Sequence, residues 1–224
     1  MALIDGEGRV QILYGRTVLP SPPHRSVYLS RPDVVGRHPA VVVLHDEDGQ
    51  TPSVRALCRR LARYGYAAAA PDLSRGGDTE LSPDRVADDA VRVAETMRHG
   101  WSAFCRPEPP AVVAVGGSAV AGAGAATDIG GPLVILGGPV TDLETVLGSV
   151  RGPILGIIAN EPDDEGEAVR ALHGSVGRGE WAVFPTTASS LLDEDADDFD
   201  YAAFEDMADR LVAFLDRFTV LAPA

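Results

Sequence analysis

Strands that alternate with helices along the whole chain predict an α/β fold, a mostly parallel central sheet with helices on both faces. Three observations carry this. Short apolar runs recur at Pro39 to Leu44, Tyr66 to Ala70, Ala111 to Val115, Pro132 to Leu136, Pro153 to Ile158 and Trp181 to Phe184, the third of them mostly β-branched. Such runs suit strands buried on both faces. Segments with a helical period separate them, and turn residues punctuate the joins. The length, 224 residues, and the absence of a composition break, repeat or linker point to one domain over 1–224.

The elements follow in order. Val10 to Leu13 and Ser26 to Ser30 predict an antiparallel pair at a sheet edge, parted by the Pro-rich turn Leu19 to Pro23. After the strand Pro39 to Leu44 comes the polar loop His45 to Gly49. Pro52 then opens a helix to about Tyr64, with Val54, Leu57, Cys58 and Leu61 on one face and Arg55, Arg59, Arg60 and Arg63 on the other. Gly65 stops it. The strand Tyr66 to Ala70 closes on Pro71-Asp72-Leu73 and the loop Ser74 to Gly77. Ser82 as N-cap and Pro83 at the first helical position start a helix to about His99. Beyond the strand at Ala111, helices are expected at Leu143 to Val150 and Gly166 to Val176. An acidic, solvated loop is expected from Asp193 to Asp200, and a long amphipathic helix from Tyr201 to Phe218.

Composition excludes several function classes. A 45% hydrophobic and 23% charged chain is an ordinary globular one. The net charge of -14, from 33 acids against 19 bases, disfavours nucleic acid or an anionic membrane as partner. No basic segment with an apolar run follows Met1, and no window approaches roughly 18 apolar residues, so neither a signal peptide nor a membrane span is expected. Only Cys58 and Cys105 occur, without metal spacing, which fits reduced thiols in a cytoplasmic protein. No cofactor or metal site is expected, and the sequence leaves the oligomeric state open. The Asp193–Asp198 acids lack the glycine and spacing of a calcium loop.

The stretch that bears chemistry is Ala111 to Ala125. A buried strand ends at Gly116-Gly117, and Ser118 opens a run of small residues with good helix propensity. Strand, sharp turn and helix around a Ser make a nucleophile elbow, in which the turn lifts the hydroxyl clear of the sheet beside a helix N-terminus. Val120 stands where the G-x-S-x-G pattern has its second Gly. A glycine-rich turn with an idle Ser, or a degenerate dinucleotide loop, are the other readings of these residues.

His38 to Gly49, Leu61 to Ala67 and Pro71 to Leu73 together resemble the dienelactone hydrolase family, a branch of the α/β hydrolases, in element order over roughly residues 10–218. The resemblance implies an α/β-hydrolase fold and turnover of a small ester or lactone without a cofactor. It places Ser118 as nucleophile, Asp163 as the triad acid, and the amides of Glu47 and Ala119 as an oxyanion hole. Asp46 falls where the family often has a Glu that meets the nucleophile. The family's Pro-Gly-x-Gly-His segment is replaced by Phe184 to Ser190, with Ser189 in the His place and no His after His173.

A Ser hydroxyl without a base is a poor nucleophile. His45, at the end of the strand beside the elbow, is one candidate base, with a backbone-bonded strand cap as its other reading. Asp46 is a second, if an apolar pocket raises its pKa. Arg75 is a candidate clamp for a substrate carboxylate, or a solvated loop residue. His24, His38, His99 and His173 are read as surface or packing residues. Three functions stay open: a Ser hydrolase with a nonstandard base; a cyclase, lyase or isomerase working through His45 or Asp46; and a non-catalytic binding protein.

Overall fold

A computed structural model describes residues 10–20, 22, 24–74, 82–137, 143–159, 179–184 and 191–220 of the chain. Eight strands form one sheet in the order β1-β2-β4-β3-β5-β6-β7-β8. They are β1 (Ile12–Val18), β2 (Ser26–Pro32), β3 (Ala40–Leu44), β4 (Ala67–Pro71), β5 (Ala111–Val115), β6 (Leu133–Leu136), β7 (Ile154–Ala159) and β8 (Gly179–Phe184). β1 and β2 are antiparallel to their neighbours, and β4, β3, β5, β6, β7 and β8 run parallel. The edge pair is as expected, but β1 extends to Val18. Tyr14 to Val18 pair residue for residue with Ser30 down to Ser26, a ladder that single-strand periodicity does not reveal.

Among the described residues the helices are α1 (Pro52–Arg63), α2 (Pro83–Glu95), α3 (Ala119–Ile129), α4 (Leu143–Leu147) and α5 (Tyr201–Leu215). Strand periodicity divides the core between the two faces. Val41 and Val43 join Leu57 and Leu61 of α1 and Met207, Leu211 and Phe214 of α5 on one side. Val42 and Leu44 join Val86, Ala90 and Val93 of α2 and the alanines of α3 on the other. Each such buried Val or Leu contributes about 1.5–3 kcal/mol.

Local sequence sets the ends of the helices. Thr51 caps α1, its side chain accepting from the Val54 N–H at 3.3 Å. Gly65 ends the turn after α1 with φ +102°. Ser82 precedes α2 but makes no side-chain cap bond, so Pro83 alone marks that start. A wider turn at Thr96–Gly100 carries α2 on to the point where the sequence ends it. α4 stops at Leu147, three residues short of the expected end. The expected helix at 166–176 lies outside the described residues.

Two ion pairs fasten helices to the rest. Arg60 Nη2 of α1 reaches both carboxylate oxygens of Glu205 on α5, at 2.6 and 2.7 Å, with its guanidinium 4.7 Å above the Phe204 ring. Arg25, before β2, holds Asp89 of α2 at 2.8 Å, and both are nearly buried. The acidic segment after β8 is anchored rather than loose: Leu191 is buried, and Ser53 Oγ donates to Asp193 Oδ1 at 3.2 Å.

Candidate active site at the carboxyl ends of β3 and β5

The turn after β5 is built on Gly116. Its φ of +56° lies in the left-handed region, and no residue other than glycine among those described has a positive φ. Glycine adopts that geometry without the steric cost a Cβ imposes. A 3₁₀ turn, Gly116–Ser118, leads into α3. The apex of the strand–turn–helix unit is therefore the residue directly after the strand.

Ser118, expected at the apex, stands two residues beyond it with φ -80° and ψ 2°. It is buried, and its Oγ donates to Val115 O at 2.8 Å, with Leu44 O at 3.2 Å. The hydroxyl thus points back at the strand ends. Ala114 and Ser118 are the small residues two positions either side of the apex. Helix and strand nearly touch at Gly122, where a Cβ would stand 2.5 Å from Ala114 Cβ. With the apex at Gly116, Val120 no longer occupies a position that has to be glycine. The signal for this register was present in the sequence: β5 ends at Val115, so the residue that must turn is Gly116.

What fills the space over the apex is Asp46. A Cβ on Gly116 would lie 2.6 Å from Asp46 Oδ2 and 3.2 Å from Asp46 Cβ. Asp46 Oδ1 accepts the Asp48 N–H at 3.2 Å. Burial pushes the Asp46 carboxyl above the ordinary carboxylate value and the Asp48 carboxylate adds to this, while the Asp48 N–H pulls the other way.

His45 is fully buried with both ring nitrogens committed to backbone. Nδ1 lies 2.7 Å from Asp46 O, and the Leu73 N–H donates to Nε2 at 3.0 Å. This pattern fixes the neutral tautomer with its proton on Nδ1. The imidazole ties the end of β3 to the segment after β4 and has no lone pair free for a substrate. Of its two readings, the backbone-bonded cap is the one the geometry matches.

The expected oxyanion amides part company as well. The Ala119 N–H is spent on Gly116 O inside the 3₁₀ turn. The Glu47 and Gly117 amides have no hydrogen-bond partner among the described residues. Arg75, Asp163 and Ser189 lie outside the described residues. So does His173.

Asp46 and Gly116 open into a cavity of about 270 Å³ at the carboxyl ends of the strands, where ligands of parallel α/β sheets bind. Val54 and Leu57 of α1, Val115 and Leu192 make its apolar wall, and Asp48, Thr51, Ser53 and Asp193 its polar rim. Asp193, expected in a solvated loop, lines the cavity together with its neighbour Leu192. Among the described residues no group of His, Cys, Asp and Glu is placed to hold a metal ion. Burial pushes the thiols of Cys58 and Cys105 up to about 12, which keeps them protonated and unreactive. No described helix is long and apolar enough to cross a membrane.

The dienelactone hydrolase family model matches residues 26–105, which include His45 and Asp46 but end before β5. A Yersinia pestis protein provisionally named a carboxymethylenebutenolidase is 38% identical over 69 residues, 30% of this chain and 26% of its own length. A provisionally named hydrolase fragment of Escherichia coli (strain K12) is 46% identical over 46 residues, 20% of this chain and 39% of the fragment. The chain therefore spans only about a quarter and two fifths of the length of these curated relatives. Among solved structures, a provisionally named dienelactone hydrolase from Klebsiella pneumoniae superposes with a TM-score of 0.77 at 20% identity, covering 93% of this chain and all of that one. The dienelactone hydrolase of Anabaena variabilis gives 0.73 at 13% identity, over 93% and 99% of the two chains. At these identities the structural likeness is one of fold. Over residues 26–105 the chain is similar in sequence to the dienelactone hydrolase family, and over nearly all of its length it shares the α/β-hydrolase fold of these enzymes.

Proposed function

We propose that this chain uses the hydrolase pocket without forming an acyl-enzyme, and that Asp46 is the group that moves a proton on a bound small molecule. One observation carries the reading: the apex that presents a nucleophile in an elbow is Gly116, which has no side chain, and Asp46 Oδ2 occupies the space over it. A half-buried carboxylate with a raised pKa is suited to take a proton from a bound molecule and return it at another atom. Glu47 follows Asp46 and Gly117 follows the apex Gly116, and their unpartnered amides are the proposed donors to a developing enolate or alkoxide. The reaction class is that of a cyclase, lyase or isomerase acting on a small substrate. On this reading the chain works as one cytoplasmic α/β-hydrolase domain, with no cofactor and no nucleic-acid or membrane partner.

A second reading is hydrolysis of a small ester or lactone through Ser118, with Asp163 as its acid, Arg75 as a substrate clamp and the nonstandard base at His45 or Asp46. The match of residues 26–105 to a hydrolase family supports it, and the direction of the Ser118 hydroxyl weighs against it. Turnover of a panel of small lactones, esters and enolisable ketones by three proteins separates the two. With the native chain active, Ser118→Ala retaining turnover and Asp46→Asn losing it supports the proton-transfer reading. The reverse pattern overturns it.

A further inference from the structure

The cavity over Gly116 is lined by carboxylates that no described cation answers. The buried Asp89 is matched by Arg25, and the half-buried Glu205 by Arg60. This is the usual arrangement, because a charge withdrawn from water needs a partner. Asp46, Asp48 and Asp193 all face the cavity, yet none has an ion pair among the described residues, and no described cationic side chain lines the wall. Asp46 Oδ1 and Asp193 Oδ1 are occupied by backbone or hydroxyl donors. Asp46 Oδ2, abutting the apex glycine, accepts from none of the described residues. The opposite wall, Val54, Leu57, Val115 and Leu192, is apolar and offers no hydrogen bond from its side chains.

We propose that this cavity takes a small molecule bearing a protonated amine on an apolar body, the ammonium set against Asp46 Oδ2 and the body against the α1 wall. The inference rests on the cavity being the working site. An ammonium brings three donors and one positive charge, which meets the carboxylate oxygens left without partners, and a cavity of about 270 Å³ holds a body the size of one substituted ring. The net charge of -14 steers cations toward the molecule and anions away from it. A carboxylate- or phosphate-bearing ligand would meet three like charges at the same spot.

The test uses three ligands of one shape: benzylamine, benzyl alcohol and benzoate. Each is titrated into the full chain at pH 7 and followed by saturation-transfer NMR. Benzylamine is expected to bind about tenfold or more tightly than benzyl alcohol, with no measurable benzoate binding. Asp46→Asn is expected to remove most of that preference, and added salt to weaken it. Asp193→Asn, a change at the cavity rim on a surface segment, is expected to weaken benzylamine binding in a chain that folds normally, so the test survives a poorly folded Asp46 variant. Benzoate binding as tightly as benzylamine, or no benzylamine binding at millimolar concentration, overturns the inference. So does a preference unchanged in both variants. If benzyl alcohol binds as tightly as benzylamine and Asp46→Asn weakens both, the amine inference falls while the cavity reading stands. A covalent adduct on Ser118 would instead overturn the proton-transfer reading.

Discussion

Asp46 and Gly116 meet across the carboxyl ends of β3 and β5, with Asp46 Oδ2 2.6 Å from the point where a side chain on Gly116 would begin. The carboxylate of one strand end stands in the space that the turn after the other leaves open. The chemistry proposed for the pocket depends on that exchange of places.

Gly116→Ala is expected to cost about 1–3 kcal/mol, because a Cβ at φ +56° is strained and meets Asp46. In an Asp46→Ala background the cost should fall by the part owed to the clash. Urea denaturation of the four proteins measures the coupling. Independent, additive losses would mean that the two residues do not touch.

Ser118→Ala is expected to lower stability by only about 0.5–1.5 kcal/mol, the net worth of one hydrogen bond. It should leave small-ligand binding unchanged, which a titration with any ligand found for the pocket checks directly.

His45→Ala should destabilise by about 2–4 kcal/mol. It removes a fully buried ring and leaves the Leu73 N–H without its acceptor. Amide exchange at Leu73 should accelerate well before global unfolding. Unchanged exchange there would show that the bond to Nε2 is absent in solution.

The pH dependence follows from Asp46. Its folded-state pKa is raised above the unfolded value near 3.8. The folded state therefore binds the proton more tightly, and the stability this confers is present below the unfolded pKa. It is lost as pH rises through the folded one. Asp46→Asn removes that loss, so its stability relative to the native chain should improve on going from about pH 3 to neutral. Parallel stability curves for the two proteins over that range would contradict the raised pKa.

Removing Glu205 is expected to cost about 3 kcal/mol, since Arg60 stays nearly buried with its partner gone. Thermal unfolding of Glu205→Ala beside the double change Arg60→Met, Glu205→Leu should show the apolar pair recovering most of the loss.

The order of the elements was legible because five parallel strands, β3 to β7, are buried on both faces and read as bare apolar runs, and α1 and α5 kept a clear 3.6-residue stripe. The extension of β1 to Val18 was not, because it comes from the ladder with β2. In the site, the residues around the apex were found but their register was off by two. A Ser beside glycines draws the eye as a nucleophile, whereas the turn is fixed by backbone φ, which falls to Gly116. His45 was rightly placed at a strand end, but the backbone groups it bonds come from its own neighbour Asp46 and from Leu73, 28 residues on, and side-chain type alone cannot tell a cap from a base. The role of Leu192 and Asp193 was hidden for a similar reason. They reach the cavity only because Leu191 is buried and Ser53 holds Asp193.

The most direct test of the central claim is intact-mass analysis of the native chain after hours with a fluorophosphonate, run beside Ser118→Ala. No adduct on folded protein is the predicted result, because the apex carries no hydroxyl and that of Ser118 is turned onto the Val115 carbonyl. A single adduct on the native chain, missing from Ser118→Ala, would contradict it and restore the Ser hydrolase reading.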